Sequence, residues 1–206
     1  MIKAQNVSHF YGKDIALQNI NLEIKKGEFV SIVGESGSGK STLLSIFSTL
    51  LKPSSGELYF EDTNFKNISN IDTFRQKNIG FIFQFHYLIN YLTIKENIQI
   101  ANEKATFKEI KELLKLLAIE NIIDKYPNEI SGGQRQRAAI ARALVNQPKV
   151  IFADEPTGNL DSKNSKKVFN IFNKLSKKGT TIIVATHDLN LASKTHKIIE
   201  VKDGQL

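Results

Sequence analysis

Residues 34–42 read Gly34-Glu35-Ser36-Gly37-Ser38-Gly39-Lys40-Ser41-Thr42. These residue types suit one task, holding phosphate groups. The glycines let the backbone approach an anion and reach positive φ without a Cβ clash. The loop N–H groups and the N-terminus of a following helix would face the anion together. Lys40 supplies a point charge for the outer phosphates, and the Ser41 hydroxyl can ligate Mg²⁺. The plainer reading is a glycine-rich turn with a chance lysine. The flanks argue against it. Residues 28–33 are apolar and β-branched, and Leu43-Leu44-Ser45-Ile46-Phe47 starts a helix. Strand, glycine loop, Gly-Lys-Ser and helix together form a phosphate-binding P-loop.

Other residues could complete a chemistry around that phosphate. Val150-Ile151-Phe152-Ala153-Asp154-Glu155 is an apolar strand ending in two carboxylates. In a parallel sheet this strand end lies beside the P-loop. Asp154 can then join the Mg²⁺ shell, and Glu155 can face the γ-phosphate and polarise a water as general base. The plainer reading is a pair of solvated acids. His187 follows the strand Ile182-Ile183-Val184-Ala185-Thr186. There it can hydrogen-bond a γ-phosphate or orient the water. His9, His86 and His196 carry no such argument. Gln84 ends the strand of residues 79–83 and can offer its amide oxygen to Mg²⁺ or water. Tyr11 is a turn aromatic able to stack on adenine, or simply to pack at the surface.

Ser131-Gly132-Gly133-Gln134-Arg135-Gln136-Arg137 precedes a helix. Ser131 is a good N-cap. Gly132 and Gly133 weaken the first turn by about 1 kcal/mol each relative to alanine, which an ordinary capped helix does not explain. They do open the helix N-terminus to an anion, which makes a second phosphate site far in sequence from the first.

Elements must position these groups. Helical and β-branched segments alternate along 206 residues, 41% of them hydrophobic, which favours one α/β core. Residues 2–10 and 15–24 read as strands of a small antiparallel sheet around a turn at residues 11–14. The P-loop helix should run to Leu51 and stop at Lys52-Pro53. Residues 57–60 and 79–83 read as strands. Residues 93–145 are helical in period. Within them Thr106-Phe107-Lys108-Glu109 has the form of a capping box, and Phe107, Ile110, Leu113, Leu114 and Leu117 make one packed face. The strand pattern returns at 149–153, 180–185 and 197–201, with helices at 162–176 and 189–193. An all-helical stretch of about residues 84–146 therefore interrupts the core.

Composition narrows the partners. The net charge of +7 allows an anionic partner, but the lysines are scattered, as on a solvated surface. There is no cysteine, which rules out disulfides, thiol chemistry and Cys-ligated zinc. Residues 1–21 show no signal-peptide core, and no run approaches the ~20 apolar residues of a membrane-spanning helix.

Taken together the motifs resemble the nucleotide-binding domain of ATP-binding cassette (ABC) proteins, over about residues 2–206. Residues 34–42 match Walker A, Gln84 the Q-loop, and residues 150–155 Walker B with its catalytic glutamate. Residues 130–134 match the signature motif, with Ile130 where leucine is usual. Asn159-Leu160-Asp161 resembles the D-loop, His187 the switch histidine and Tyr11 the A-loop aromatic. The resemblance implies a P-loop NTPase fold with a small antiparallel β subdomain and a helical insertion. It implies ATP and Mg²⁺ as ligands. Tyr11, residues 34–42, Gln84, residues 131–134 and Asp161 would touch nucleotide. Ser41, Gln84 and Asp154 would hold the metal, with Glu155 and His187 catalytic. It further implies a head-to-tail homodimer, each ATP lying between one P-loop and the other chain's residues 131–134. Such a pair would drive two membrane-spanning permease subunits, docked near residues 84–93 and the helical insertion. The chain would sit peripherally on the cytoplasmic face of a bacterial inner membrane, with no insertion and no nucleic-acid partner.

A narrower likeness is also present. Phe81-Ile82-Phe83-Gln84-Phe85-His86-Tyr87-Leu88, Leu92-Thr93-Ile94-Lys95-Glu96-Asn97, residues 153–161 and residues 186–192 are similar to the ATPases of lipoprotein-releasing complexes. Those complexes extract lipoproteins from the inner membrane for carriage to the outer membrane. Macrolide-exporter and cell-division ATPases share much of the pattern. Gln84-Phe85-His86 and the ending Val201-Lys202-Asp203-Gly204-Gln205-Leu206 favour the lipoprotein group. The chain departs from it in being compact after Ile100. A soluble cassette ATPase of nucleic acid or ribosomes would usually show a coiled coil or two cassettes, and this chain has one cassette and no heptad run. A non-hydrolysing regulator would usually lack Glu155 or His187.

Overall fold

Long alternating strands open the chain in a computed structural model that describes residues 1–158 and 160–206. Asn159, expected in the D-loop, lies outside the described residues. Strands β1 (Ile2–Tyr11) and β2 (Asp14–Ile24) pair antiparallel. Tyr11, expected in the turn, is instead the last residue of β1, opposite Asp14. Strand pairing continues to a two-residue hairpin loop, the tightest that matches strand twist.

β3 (Phe29–Val33) leads through the glycine loop into α1 (Lys40–Phe47). β4 (Ser55–Phe60) and β5 (Thr63–Asn64) complete a four-stranded sheet of order β2-β1-β4-β5. After α2 (Ile71–Asn78) comes β6 (Ile79–Ile82). The helices α3 (Ile94–Gln99), α4 (Phe107–Leu116) and α5 (Gly132–Leu144) follow. The chain ends with β7 (Val150–Asp154), α6 (Ser162–Lys177), β8 (Thr181–Ala185), α7 (Leu189–Ala192) and β9 (Lys197–Glu200).

The second sheet has the order β6-β7-β8-β3-β9, and every pairing in it is parallel. A parallel sheet is covered on both faces, so its strands are apolar throughout. Successive side chains point to opposite faces. Ile151, Ala153, Ile182 and Val184 pack with the helical layer of α3 to α6. Val150, Phe152, Ile183 and Ala185 pack with α1 and the antiparallel sheet.

Two further expectations fail, and one helix goes unannounced. α1 stops at Phe47, short of Leu51. Thr49 turns the chain with φ 64°, and the Leu51 N–H returns to the Ser45 carbonyl at 3.0 Å. Leu50 and Leu51 merely prolong the apolar pattern. Phe107 is 53% exposed, while Ile110, Leu114 and Leu117 are buried. It lies at the margin of the α4 stripe, on the first turn, where no neighbouring element covers it. α2 carries no buried residue, so no apolar periodicity announces it.

α6 buries Val168, Phe169, Ile171 and Phe172 against the sheet. Lys163, Lys166, Lys167, Lys174 and Lys177 stand exposed on its other side. No helix among the described residues is long and apolar enough to cross a membrane.

Candidate functional site

In the parallel sheet β7, β8 and β3 are neighbours in that order. Their C-terminal ends deliver Asp154 and Glu155, Thr186 and His187, and the glycine loop to one edge, where ligands bind in such folds. A cleft of about 550 Å³ opens there. Tyr11, Gly34, Ser36, Gly37, Gly39, Lys40, Ser41, Thr42, Gln84, Asp154, Glu155 and His187 line it. Sequence positions from 11 to 187 thus converge on one hollow.

The loop is wedged from two sides. Gly34 has φ +150°, and a Cβ there would lie 2.2 Å from the Val201 carbonyl oxygen and 2.7 Å from Ser38 Oγ. Gly39 has φ +107°, and its Cβ would lie 2.6 Å from the Ala16 carbonyl oxygen. Gly34→Ala should therefore destabilise the fold. Overpacking costs about 1–3 kcal/mol, and the left-handed backbone roughly 1–2 kcal/mol more. Thermal unfolding should drop by roughly 5–15 °C. An unchanged midpoint would show that the loop is looser than its contacts indicate.

Within the loop, Lys40 Nζ donates to the carbonyls of Gly34 and Glu35 at 2.8 and 2.7 Å. The ammonium is thereby held across the mouth of the loop. Glu35 and Ser38, expected among the nucleotide contacts, do not line the cleft. Ser38 is buried, and its carbonyl accepts from the Gly204 N–H at 3.0 Å. Glu35 is exposed beside it.

Asp154 sits at the floor. Burial pushes its carboxyl up, a hydrogen bond with the Ser41 hydroxyl draws it down, Glu155 pushes it up, and Lys40 draws it down. A half-buried carboxylate beside a hydroxyl is an oxygen donor set that suits a hard cation. Among the described residues no group of three or more His, Cys, Asp or Glu could cage a metal. The donors therefore fit Mg²⁺, which takes one or two protein oxygens and fills its shell with water and phosphate.

Glu155 and His187 are joined. Glu155 Oε1 accepts from the His187 backbone N–H at 3.0 Å and lies 2.8 Å from His187 Nδ1. A carboxylate only accepts, so Nδ1 carries a proton, and in the neutral ring Nε2 is the acceptor. Oε2 has only a longer contact, 3.4 Å from Thr186 Oγ1. Glu155 itself has φ 45°, and its N–H donates to the Ala185 carbonyl at 2.9 Å. That bond fixes the turn leaving β7 to the neighbouring strand.

Ser131, Gly132, Gly133 and Gln134 do not line the cleft. They form the N-terminus of α5. Ser131 Oγ accepts from the Gln134 N–H at 3.3 Å, and Gln134 Oε1 from the Ser131 N–H at 2.9 Å. Asp161 is likewise outside it and N-caps α6, accepting from the Asn164 N–H at 2.8 Å.

Two residues that shape the rim escape a sequence reading. Arg142 donates to the carbonyls of His86 and Tyr87, both at 2.7 Å. Buried Asn97 accepts from the Ile89 N–H at 2.7 Å and donates to the carbonyls of Ile89, Leu92 and Thr93. Both pin the segment after Gln84. The only sequence signal is a polar residue on an apolar helix face. His196 is structural, its Nδ1 accepting from the Phe29 N–H at 3.1 Å.

A glycine loop at the carboxyl edge of a parallel sheet, facing a hydroxyl and two strand-end carboxylates, defines a nucleotide hydrolase of the P-loop class. Residues 17–158 match the ABC transporter family. The lipoprotein-releasing system ATP-binding protein LolD of Aquifex aeolicus is 45% identical over 214 residues, covering all of this chain and 96% of that protein. The macrolide export ATP-binding/permease protein MacB of Campylobacter jejuni is 42% identical over 214 residues, all of this chain but 33% of MacB. A solved dimeric ATP-binding cassette of Methanocaldococcus jannaschii, in a post-hydrolysis state with ADP and Pi, superposes with a TM-score of 0.94. It is 42% identical, over 100% of this chain and 96% of that one. The chain belongs to the ABC transporter family, as an ATP-hydrolysing cassette of it.

Proposed function

We propose that a pair of these chains powers a membrane complex that releases lipoproteins from a bacterial inner membrane toward the outer membrane. The observation that carries this reading is the full-length match to lipoprotein-releasing ATPases, 45% identical over 96% of that protein. A second reading is an exporter ATPase, supported by the match of the whole chain to the cassette third of MacB.

The site residues take roles from their geometry. Tyr11 stacks on adenine. Lys40 gives up the Gly34 and Glu35 carbonyls for the β- and γ-phosphates. Ser41, Asp154 and Gln84 would hold Mg²⁺, which supplies charge neutralisation at the phosphates. Glu155 Oε2, the less engaged oxygen, takes the proton of the attacking water. His187 Nδ1 holds the other oxygen, and Nε2 remains to accept a hydrogen bond from that water. The N-terminus of α5, set apart from its own cleft, closes on the nucleotide of a second chain placed head to tail.

Residues 84–146 act as a helical subdomain that carries both this second phosphate site and the docking surface. Phe85, Tyr87 and Tyr91 are exposed there at 61%, 63% and 80%, on a segment that Arg142 and Asn97 hold rigid. Exposed aromatics on a fixed backbone suit two permease subunits. The chain then lies peripherally on the cytoplasmic face of the membrane.

Purification of the native complex tests the reading. Two copies of this chain should come with membrane-spanning subunits, and lipoprotein should leave the membrane only with ATP. Association with a drug-export permease would select the second reading. Recovery without any membrane protein would overturn both.

A further inference from the structure

Tyr11 lines the cleft from the end of β1, and it is 53% exposed. A free ring in that place would have to be ordered before a base could stack on it, and ordering a side chain weakens binding. The strand supplies a neighbour that orders it beforehand. The rings of His9 and Tyr11 have centroids 4.7 Å apart and an interplanar angle of 79°. This is an edge-to-face contact, an arrangement that aromatic pairs favour.

The histidine is itself held. It is buried, although polar. Its Nδ1 lies 3.4 Å from Ser54 Oγ, and the same Oγ accepts from the Phe10 N–H at 3.1 Å. A serine hydroxyl can accept from Phe10 and donate to Nδ1 at once. The Ser54 N–H donates to the Ser8 carbonyl at 2.9 Å. Ser54 thus grips β1 on both sides of His9. Strand β2 fixes the hairpin from below. Leu17 pairs with His9 across the sheet. A Cβ on Gly39 would lie 2.9 Å from Leu17 Cδ2 and 2.6 Å from the Ala16 carbonyl oxygen. The hairpin is therefore seated on the glycine that opens α1, and the Tyr11 ring stands at a set place relative to the phosphate loop.

We propose that His9 is a positioning residue for the base, which orders the Tyr11 ring in advance through their edge-to-face contact. The inference rests on the stacking role given to Tyr11 above. His9 does not line the cleft, so it acts only through that ring.

The test compares ADP with inorganic pyrophosphate, each with Mg²⁺, by titration calorimetry on the purified chain. The two ligands share the phosphate contacts, so the ratio of their affinities isolates the base and sugar. Tyr11→Ala should weaken ADP by about ten-fold or more, as for a lost base–aromatic stack. His9→Ala should weaken ADP by about three- to ten-fold, the range of an aromatic pair, and pyrophosphate by less than about two-fold. His9→Phe keeps a ring without the hydrogen bond and should recover most of the affinity. The double variant His9→Ala/Tyr11→Ala should be little worse than Tyr11→Ala alone, because both changes remove one interaction. An unchanged ratio in His9→Ala would overturn the proposal, as would losses that simply multiply in the double variant. A His9→Phe chain no better than His9→Ala would overturn it too. Equal losses for ADP and pyrophosphate, or a lowered melting point with the ratio intact, would make His9 merely structural. If His9→Ala fails to fold, Ser54→Ala decides. It removes the hydroxyl that anchors the imidazole and should lower the ratio about two-fold or more, and an unchanged ratio there would sink the proposal. A Tyr11→Ala chain with an unchanged ratio would instead remove the stacking role, and this inference with it.

Discussion

Glu155→Gln should slow ATP hydrolysis by about 10²–10⁴-fold, the usual worth of a general base. The amide keeps the size of the carboxylate and can still accept from the His187 N–H, which lies 3.0 Å from Oε1. The strand-end turn should therefore survive. Asp154 and Ser41 are unchanged, so nucleotide should still bind with Mg²⁺. Loss of a negative charge near the γ-phosphate also relieves repulsion. The variant should accumulate as an ATP-bound dimer, seen as an earlier elution in size-exclusion chromatography with ATP and not with ADP. In the wild type the same shift should be transient. Hydrolysis at the wild-type rate would remove Glu155 as the base. His187, 76% exposed where Glu155 is 13% exposed, would then lead as the group that positions water.

The second large effect concerns Ser131. Ser131→Arg places a bulky side chain at an α5 N-terminus that does not line its own cleft. It also removes the capping hydroxyl, at a cost of about 1 kcal/mol. ATP binding to the single chain should persist, because the P-loop is untouched. Hydrolysis and ATP-driven dimerisation should fall to background. Mixing supplies the decisive comparison. Lys40→Ala chains lack the ammonium that now bonds the Gly34 and Glu35 carbonyls. Each variant alone should be inactive. A mixed dimer pairs one intact loop with one intact α5 terminus, so part of the activity should return. Mixed dimers that form and stay inactive would count against independently working sites.

Much of this arrangement is legible in the sequence because it sits where local rules are strong. The β7 and β8 strands are unbroken apolar runs, and their polar residues begin where the strands end. The α5 start carries its own cap in Ser131. The failures share a different cause. α1 ends at Phe47, before a backbone turn at Thr49 that the apolar Leu50 and Leu51 conceal. α2 has no buried face to leave a periodic trace. The bond between His187 and Glu155 spans 32 positions and exists only because β7 and β8 are adjacent. Arg142 reaches carbonyls 55 and 56 positions away, a contact that no local pattern encodes. Local chemistry thus announces which groups act. Their mutual orientation comes from strand order.

The exposed side of α6 has a physical consequence for the whole molecule. At 3.6 residues per turn its lysines fall within roughly a 120° arc. Lys163 and Lys167 stand one turn apart, and Lys174 and Lys177 are spaced i,i+3. Like charges at that spacing repel by about 0.2–0.5 kcal/mol per pair at low salt. The ion pairs of the described residues lie elsewhere, at Lys66, Arg75, Lys149 and His187. The burial of Phe169 and Phe172 works against that repulsion. Added salt relaxes it, since the Debye length shrinks from ≈ 10 Å at 0.1 M to 3 Å at 1 M. At α6, added salt therefore acts to relieve repulsion between lysines, the opposite of its effect on the ion pairs elsewhere.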